Sequence, residues 1–428
     1  MGHKEKNKLG LSIKEGSTCP AFKIHYHFDG TEDIFKGHYH QAPQFVLIIH
    51  DQKTLNKIRR NPALEVILGY INGSVTFDTG SIGMHIGYLV DIAQAANWSI
   101  PAKILALPAQ LKWIINQKFH SNGIQQMSKD IPAHYDDMDF PFRAILGEIM
   151  QYTSGIYKNN SDSLGQAQNE KINLILKKSR LSDRSVNYKQ VNHLDIGCGY
   201  ATLCMEFAKK GAYSYGVSLS QSQISDGKIR IFTNGINNCC IARADWRDLT
   251  SLRVFPKFYD IITAICVLEH EGKAAYELLE FIYKHLAADG VFVMQGIVNT
   301  ESVPGVIFDT PRDIGDQFLQ GIVFPGSRIP KLWEVIDWTR RIGFHLDHIE
   351  TFGMSYAKTC QAWADNLLEN SDIIRHELRG LPTENHKKIR QMEIYLRICQ
   401  RLFELRLMDV AQYVFTKQAN PYKGLARL

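Results

Sequence analysis

The stretch that leaves this chain least freedom is His193 to Ser220, HLDIGCGYATLCMEFAKKGAYSYGVSLS. An apolar run ending in Asp195 enters Gly197, Cys198 and Gly199. A helix-compatible segment follows from about Thr202 to Lys210, then a second apolar run, Tyr213 to Val217. The pattern is a strand, a glycine turn, a helix and a strand, the repeating unit of an α/β sheet. Without a Cβ the glycines let the backbone turn sharply and approach a ligand, and the helix start offers unpaired N–H groups. The spacing D-I-G-C-G lacks the third glycine of the dinucleotide fingerprint, so a small nucleoside cofactor fits better than a pyrophosphate.

At 428 residues the chain has room for two or three domains. With 45% hydrophobic and 22% charged residues it has the composition of a globular protein. No window is apolar enough to span a bilayer and the N-terminus, MGHKEKNKLG, is polar, so a cytoplasmic protein is expected. Eight cysteines without a C-x-x-C pair read as reduced thiols, with no metal site. A net charge of +5 suits an anionic membrane surface or an acidic substrate and is too small to argue nucleic acid.

In chain order, residues 1–22 read as a flexible tail and 23–107 as a small α+β domain. Its strands are expected at Phe22–Phe28, Phe45–Ile49 and Val75–Phe77, its helices at Gln52–Asn61, Ala63–Ile71 and Met84–Asn97. Residues 108–180 read as a connector and lid, with an apolar helix around Ile104–Phe119, an aromatic and acidic stretch at Asp130–Tyr157, and a helix at Gly165–Ser179. The remainder, 181–428, carries the cofactor unit with a helical cap at about 300–410. A last strand, Ala411–Thr416, is expected to enter antiparallel.

Ligands of open α/β sheets sit outside the carboxyl ends of the strands. That places Ser218, Leu219, Ser220 and Gln223 after the second strand, Asp245 and Trp246 after the third, Glu269 after the fourth (Tyr259–Ile265), and Gln295 at the end of the strand Gly290–Gln295. Trp246 offers a flat face for adenine. Glu269-His270 also reads as a plain structural ion pair, and His134 as a packing or capping residue.

A set of motifs carries a closer resemblance: A-H-Y-D at 133–136, Q-Y-T-S at 151–154, A-Q-x-x-K, D-I-G-C-G, G-V-S-L-S-x-x-Q, D-W-R-D-L, L-E-H, F-P-G and F-G-M-S-Y-A-K-T-C-Q-A-W. In this order, from about Gln126 to Lys417, they resemble the cyclopropane fatty acid synthase family, and the N-terminal L-G-Y-I-N-G-S-V-T-F-D resembles the extra domain of its longer members. The resemblance implies a class I S-adenosylmethionine-dependent methyltransferase, with a Rossmann-like seven-stranded sheet, a helical cap and an α+β N-terminal domain. It implies that the cofactor is held by Tyr152, Thr153, Asp195, Gly197, Cys198, Gly199, Ser218, Leu219, Ser220, Gln223, Asp245, Trp246 and Arg247. It further implies a bicarbonate ion acting as base among Glu269, Tyr356, the Ile297 backbone, Ser154 and Gln295, with His134 in register with the family. Two positions depart from the pattern: Ser154 stands where a cysteine is usual, and Gln295 where a histidine is usual. A glutamine hydrogen-bonds but does not titrate.

The activity implied is methyl transfer to the double bond of phospholipid acyl chains, forming cyclopropane fatty acids, with transient association with the inner face of the membrane and a homodimer. The alternatives are methyl branching without ring closure, methylation of a smaller amine or isoprenoid, and a lipid-binding protein that has lost turnover.

Overall fold

The computed structural model describes residues 7–14, 17, 19–36, 43–78, 84–98, 142–181, 191–300, 328–378 and 380–417. The chain divides into two compact units. One combines the N-terminal residues with Trp363–Leu402; the other contains Ser121–Ser302, Phe324–Ala362 and the C-terminal residues from Phe403.

The first unit has strands β1 (Leu11–Ile13), β2 (Phe22–Tyr26), β3 (Thr31–Phe35), β4 (Phe45–Ile49), β5 (Val75–Asp78) and β6 (Ala96–Trp98). Its main sheet runs β3-β2-β4-β5, and β2 and β4 alternate buried and half-buried residues, as strands with one covered face must. Phe22 stacks between Phe35 and Phe45, at 4.5 and 5.5 Å. Two expectations change here. Leu11–Ile13, read as tail, pairs antiparallel with β6, and Leu9 and Leu11 are buried. The helix expected over Met84–Asn97 breaks into Met84–Gly87 and Leu89–Ala95, because its last residues extend to pair with β1. Trp363–Leu402 joins this unit through named bonds: Arg401 grips Asp91 with two 2.8 Å bonds, and Tyr70 donates to Glu393 at 2.7 Å.

The second unit is built on seven strands: β7 (Asn192–Ile196), β8 (Tyr213–Ser218), β9 (Cys239–Arg243), β10 (Tyr259–Ile265), β11 (Leu286–Asn299), β12 (His345–Thr351) and β13 (Met408–Thr416). Their order is β12-β13-β11-β10-β7-β8-β9, with β13 antiparallel to both neighbours and the β7 to β11 pairs parallel. The near-continuous apolar runs of β10 and β11 follow from burial on both faces. The helix Leu164–Lys178 packs Ile172 and Ile175 against Ile261, Val291, Val293 and Val414. On the other face the helices Ala275–His285 and Leu332–Ile342 cover Phe292, Met294 and Tyr413. β12 interrupts the stretch read as a helical cap. It is a half-exposed edge strand, HLDHIET, without the alternation that would announce it.

Since β7 pairs with both β8 and β10, the chain reverses its direction of winding there, and a crevice opens at the carboxyl ends on either side. Ile104–Phe119 and, of the stretch Asp130–Tyr157, residues 130–141 including His134 lie outside the described residues.

Candidate active site

The glycine turn leaves β7 with φ of 77° at Gly197 and 52° at Gly199, a region in which side chains are strained. The N–H groups of Gly197 and Cys198 both donate to Val217 O, at 2.9 and 3.0 Å, and tie the turn to β8. A Cβ on Gly197 would lie 2.5 Å from Val267 Cγ2, whereas beside Gly199 the nearest atom is Gln223 Oε1 at 4.0 Å. The turn is walled behind and open in front. Cys198 packs its side chain with Ala201, Cys204 and Ile224, so its backbone alone is placed to meet a ligand.

After β8, Ser218 Oγ donates to Gln223 Oε1 at 3.0 Å, and Ser220 Oγ accepts the Gln223 N–H at 3.2 Å as the N-cap of the helix Gln221–Thr233. Leu219 is half-buried, its carbonyl accepting from Arg243. After β9, Asp245 caps the turn Trp246–Ser251 and takes two 3.0 Å bonds from Arg247 Nη1, while Arg247 Nη2 donates to Glu271 at 3.1 Å. The Arg247 guanidinium lies 4.1 Å over the Trp246 ring, whose indole also packs on Phe281. Arg247 therefore fixes the Trp246 plane and spends its fork on two carboxylates.

Asp195 turns under this site. It is buried, accepts from Thr263 Oγ1 at 2.6 Å, and is pushed up to about 7 by burial, with Thr263, Cys204 and the Lys171 charge opposing. Lys171, the lysine of A-Q-x-x-K, has no exposed surface; it donates to Gln151 Oε1 at 2.8 Å and Thr153 Oγ1 at 2.6 Å, and burial brings it down to about 7. Gln168 donates to Thr153 O at 2.8 Å, and Ile156 N to Ala167 O at 2.9 Å. The motif thus lays the segment carrying Tyr152, Thr153 and Ser154 along one helix. Gly155 N and Tyr157 N bond Thr359 and Ser355, which brackets that segment to the helix carrying Tyr356. Tyr356 is buried and stacks on Phe403 at 4.6 Å.

At the end of β10 the chain passes through Cys266 at φ 56°, an uncommon conformation for a residue with a side chain, and a short turn, Leu268–His270, presents Glu269. Glu269 is 5% exposed. Its Oε1 accepts the Ile297 N–H at 3.2 Å, its Oε2 has no hydrogen-bond partner, and burial pushes the carboxyl up to about 7 against the opposing Ile297 and Cys266 contacts. Glu269 and the Ile297 backbone are therefore brought together, bonded to each other.

Gln295 and Ser154 are placed otherwise. Gln295 is fully buried; its Oε1 accepts from Gln412 Nε2 at 3.1 Å and its Nε2 donates to Cys266 Sγ at 3.6 Å. Gln412 Oε1 in turn accepts from Lys178 Nζ at 2.6 Å, and Lys178 pairs with Glu350. Ser154, also fully buried, donates to Gly155 O at 2.7 Å. Cys266, Gln412 and Lys178 did not emerge from sequence reasoning. The available signal was a lone glutamine inside each of two apolar strands, VFVMQG and DVAQYVF, which the register sets side by side.

Among the described residues no cluster of three His, Cys, Asp or Glu is placed to hold a metal, and no helix is long and apolar enough to cross a membrane.

The profile of the family described as mycolic acid cyclopropane synthetase matches residues 123–413. A probable fatty acid methyltransferase of Mycobacterium tuberculosis, Rv3720, is 28% identical over 271 residues, 61% of this chain and 58% of that relative. Sphingolipid C9-methyltransferase 2 of Gibberella zeae is 31% identical over 260 residues, 58% of this chain and 46% of that one. Among solved structures, the cyclopropane synthase MmaA2 of Mycobacterium tuberculosis superposes with a TM-score of 0.57 at 23% identity, covering 67% of this chain and 97% of that one. With the profile spanning most of the chain, and the glycine turn and seven-stranded sheet in place, the chain belongs to the mycolic acid cyclopropane synthetase family and is an S-adenosylmethionine-dependent methyltransferase.

Proposed function

We propose that the enzyme methylates the double bond of an unsaturated acyl chain carried by a phospholipid, at a membrane surface. The observation that carries this reading is Glu269: a buried carboxylate with one oxygen anchored and the other unpartnered, at the carboxyl end of β10. Methylation of an oxygen or nitrogen substrate requires at most the loss of a proton from a heteroatom, whereas methylation of an alkene leaves a cation and a C–H proton to remove. A dry site with a poised base serves the second task. The mildly basic chain supports an anionic lipid surface as the place of work.

The residues present fit S-adenosylmethionine, which supplies an electrophilic methyl group when bound. The open side of Gly199, where a Cβ would meet almost nothing, leaves room for a ligand against the turn. Gly197, Cys198 and Gly199 would meet it through the backbone. Ser218, Leu219, Ser220 and Gln223 would line the ribose side, Asp245, Trp246 and Arg247 the adenine side, and Tyr152, Thr153 and Asp195 the amino-acid end. Arg247 holds Trp246 flat, and Lys171 orients Thr153.

Expression in a bacterium lacking its own cyclopropane synthase, followed by mass spectrometry of fatty acid methyl esters, tests the reading. The expected result is a gain of one methylene unit in unsaturated chains. Loss of the olefin with that gain identifies ring closure; a retained olefin identifies branching, the outcome favoured by the likeness to a sphingolipid C9-methyltransferase. No change in any acyl chain, with S-adenosylmethionine still bound, would refute an acyl substrate.

A further inference from the structure

The family resemblance implies a bicarbonate ion as base, and the residues present do not fit one. Of the four hydrogen-bond donors implied for the anion, three are committed inside the protein. Ile297 N–H is given to Glu269 Oε1, Ser154 Oγ to Gly155 O, and Gln295 Nε2 to Cys266 Sγ. Gln295 cannot swing back at low cost, because its other end is held by Gln412, itself held by Lys178. The Tyr356 phenol is the fourth donor, and one phenol cannot hold a second anion against a buried carboxylate. We infer that Glu269 Oε2 is itself the base of the reaction, with no bicarbonate ion beside it. The inference rests on the acyl-methylation reading and specifies its chemistry.

The step balances without a further reactant. Once one olefinic carbon has used the π pair to take the methyl group, its neighbour is cationic. A C–H bond then gives its electron pair to that neighbour and its proton to Glu269 Oε2, which releases it to solvent. The bond belongs to the new methyl group if a ring closes, or to an adjacent chain carbon if a branched olefin forms. Among the described residues, the titratable groups that face Glu269 are the Cys266 thiol on its own turn and the Tyr413 phenol on β13; burial raises both, which keeps them neutral at pH 7. The Lys171 charge acts on Cys266 and Asp195. A carboxyl brought to about 7 is a stronger base than an exposed one, and its basic form is lost as pH falls through that value.

Two measurements test this. The protein loaded with S-adenosylhomocysteine is titrated with ¹³C-labelled bicarbonate and followed by NMR line width. No saturable binding is expected; binding that Glu269→Gln abolishes would overturn the inference. In parallel, turnover is compared in carbon dioxide-stripped buffer and with added bicarbonate. Rates should agree within about twofold and fall about tenfold per pH unit below about 7. Should Glu269→Gln not fold, Glu269→Asp keeps the test open, since it must retain an acid limb at reduced rate. A rate that collapses on stripping and returns with bicarbonate refutes the inference and leaves acyl methylation standing. No acyl turnover with bicarbonate unbound refutes the acyl reading and, with it, the proton step, while the misfit of the anion remains.

Discussion

The two halves of the central sheet hold their polar groups in different ways. On the side of β7, β8 and β9 several of the side-chain bonds close within a few residues: Ser218 to Gln223, Ser220 to Gln223, Asp245 to Arg247. On the side of β10, β11 and β13 each bond joins distant parts of the chain: Glu269 to Ile297, Gln295 to Gln412, Lys178 to Gln412. The cofactor half is built largely of local turns and caps, pinned to the sheet by the longer bonds Asp195 to Thr263 and Arg247 to Glu271. The base half exists only when the sheet is assembled in register. Changes on the first side should alter cofactor affinity, and changes on the second should alter the chemical step and the stability of the assembled sheet.

The largest effect should come from the second side. Glu269→Gln keeps the shape and the Ile297 bond but removes the base, so turnover should fall by about 10²- to 10⁴-fold. Calorimetry should show S-adenosylmethionine affinity changed by less than about threefold, under 1 kcal/mol. A parallel loss of affinity would break the division between the halves. Gly197→Ala should do the reverse. The new Cβ sits 2.5 Å from the stiff Val267 side chain at a φ of 77°, and strain of about 1–3 kcal/mol would displace the turn. Affinity should drop roughly tenfold or more, read by the same calorimetry.

This division also explains what could be read from the sequence. The glycine turn, β4 and β10 lie where apolar pattern and turn residues place them, and Glu269 follows from the rule that sites sit at strand ends. β12 escaped because its two apolar residues, Leu346 and Ile349, stand three apart among polar ones and carry no period-2 signal. β1 and β6 escaped because each is three residues long and is defined by its partner. Gln295 stands out as a polar residue in an apolar run, yet its role depends on Gln412, 117 positions away, and on an antiparallel register that local pattern does not encode. The same reasoning covers Cys266 and Lys178. Polar groups that satisfy one another across strands are invisible until the strands are paired.

The buried pair offers a sharper test. Gln295→Leu or Gln412→Leu alone strands the remaining amide in a dry interior and should cost about 1–3 kcal/mol in chemical denaturation. The double substitution removes both amides, though it leaves Lys178 Nζ with Glu350 as its remaining partner. It should therefore cost less than the sum of the two, with a coupling of about 0.5 kcal/mol or more. Strict additivity would mean that the two glutamines do not act as a unit.

The smallest effect belongs to the local side. Ser220→Ala removes the hydroxyl that accepts the Gln223 N–H at the start of the helix Gln221–Thr233, worth about 1 kcal/mol at an N-cap. Its loss is confined by the same shortness that makes the motif legible, because Gln223 keeps its bond from Ser218. Thermal unfolding should fall by only a few degrees, with turnover at saturating S-adenosylmethionine unchanged and affinity lowered a few-fold. If turnover at saturation fell instead, the caps of β8 would be coupled to the chemistry at β10, and the two halves of the sheet would have to be treated as one device.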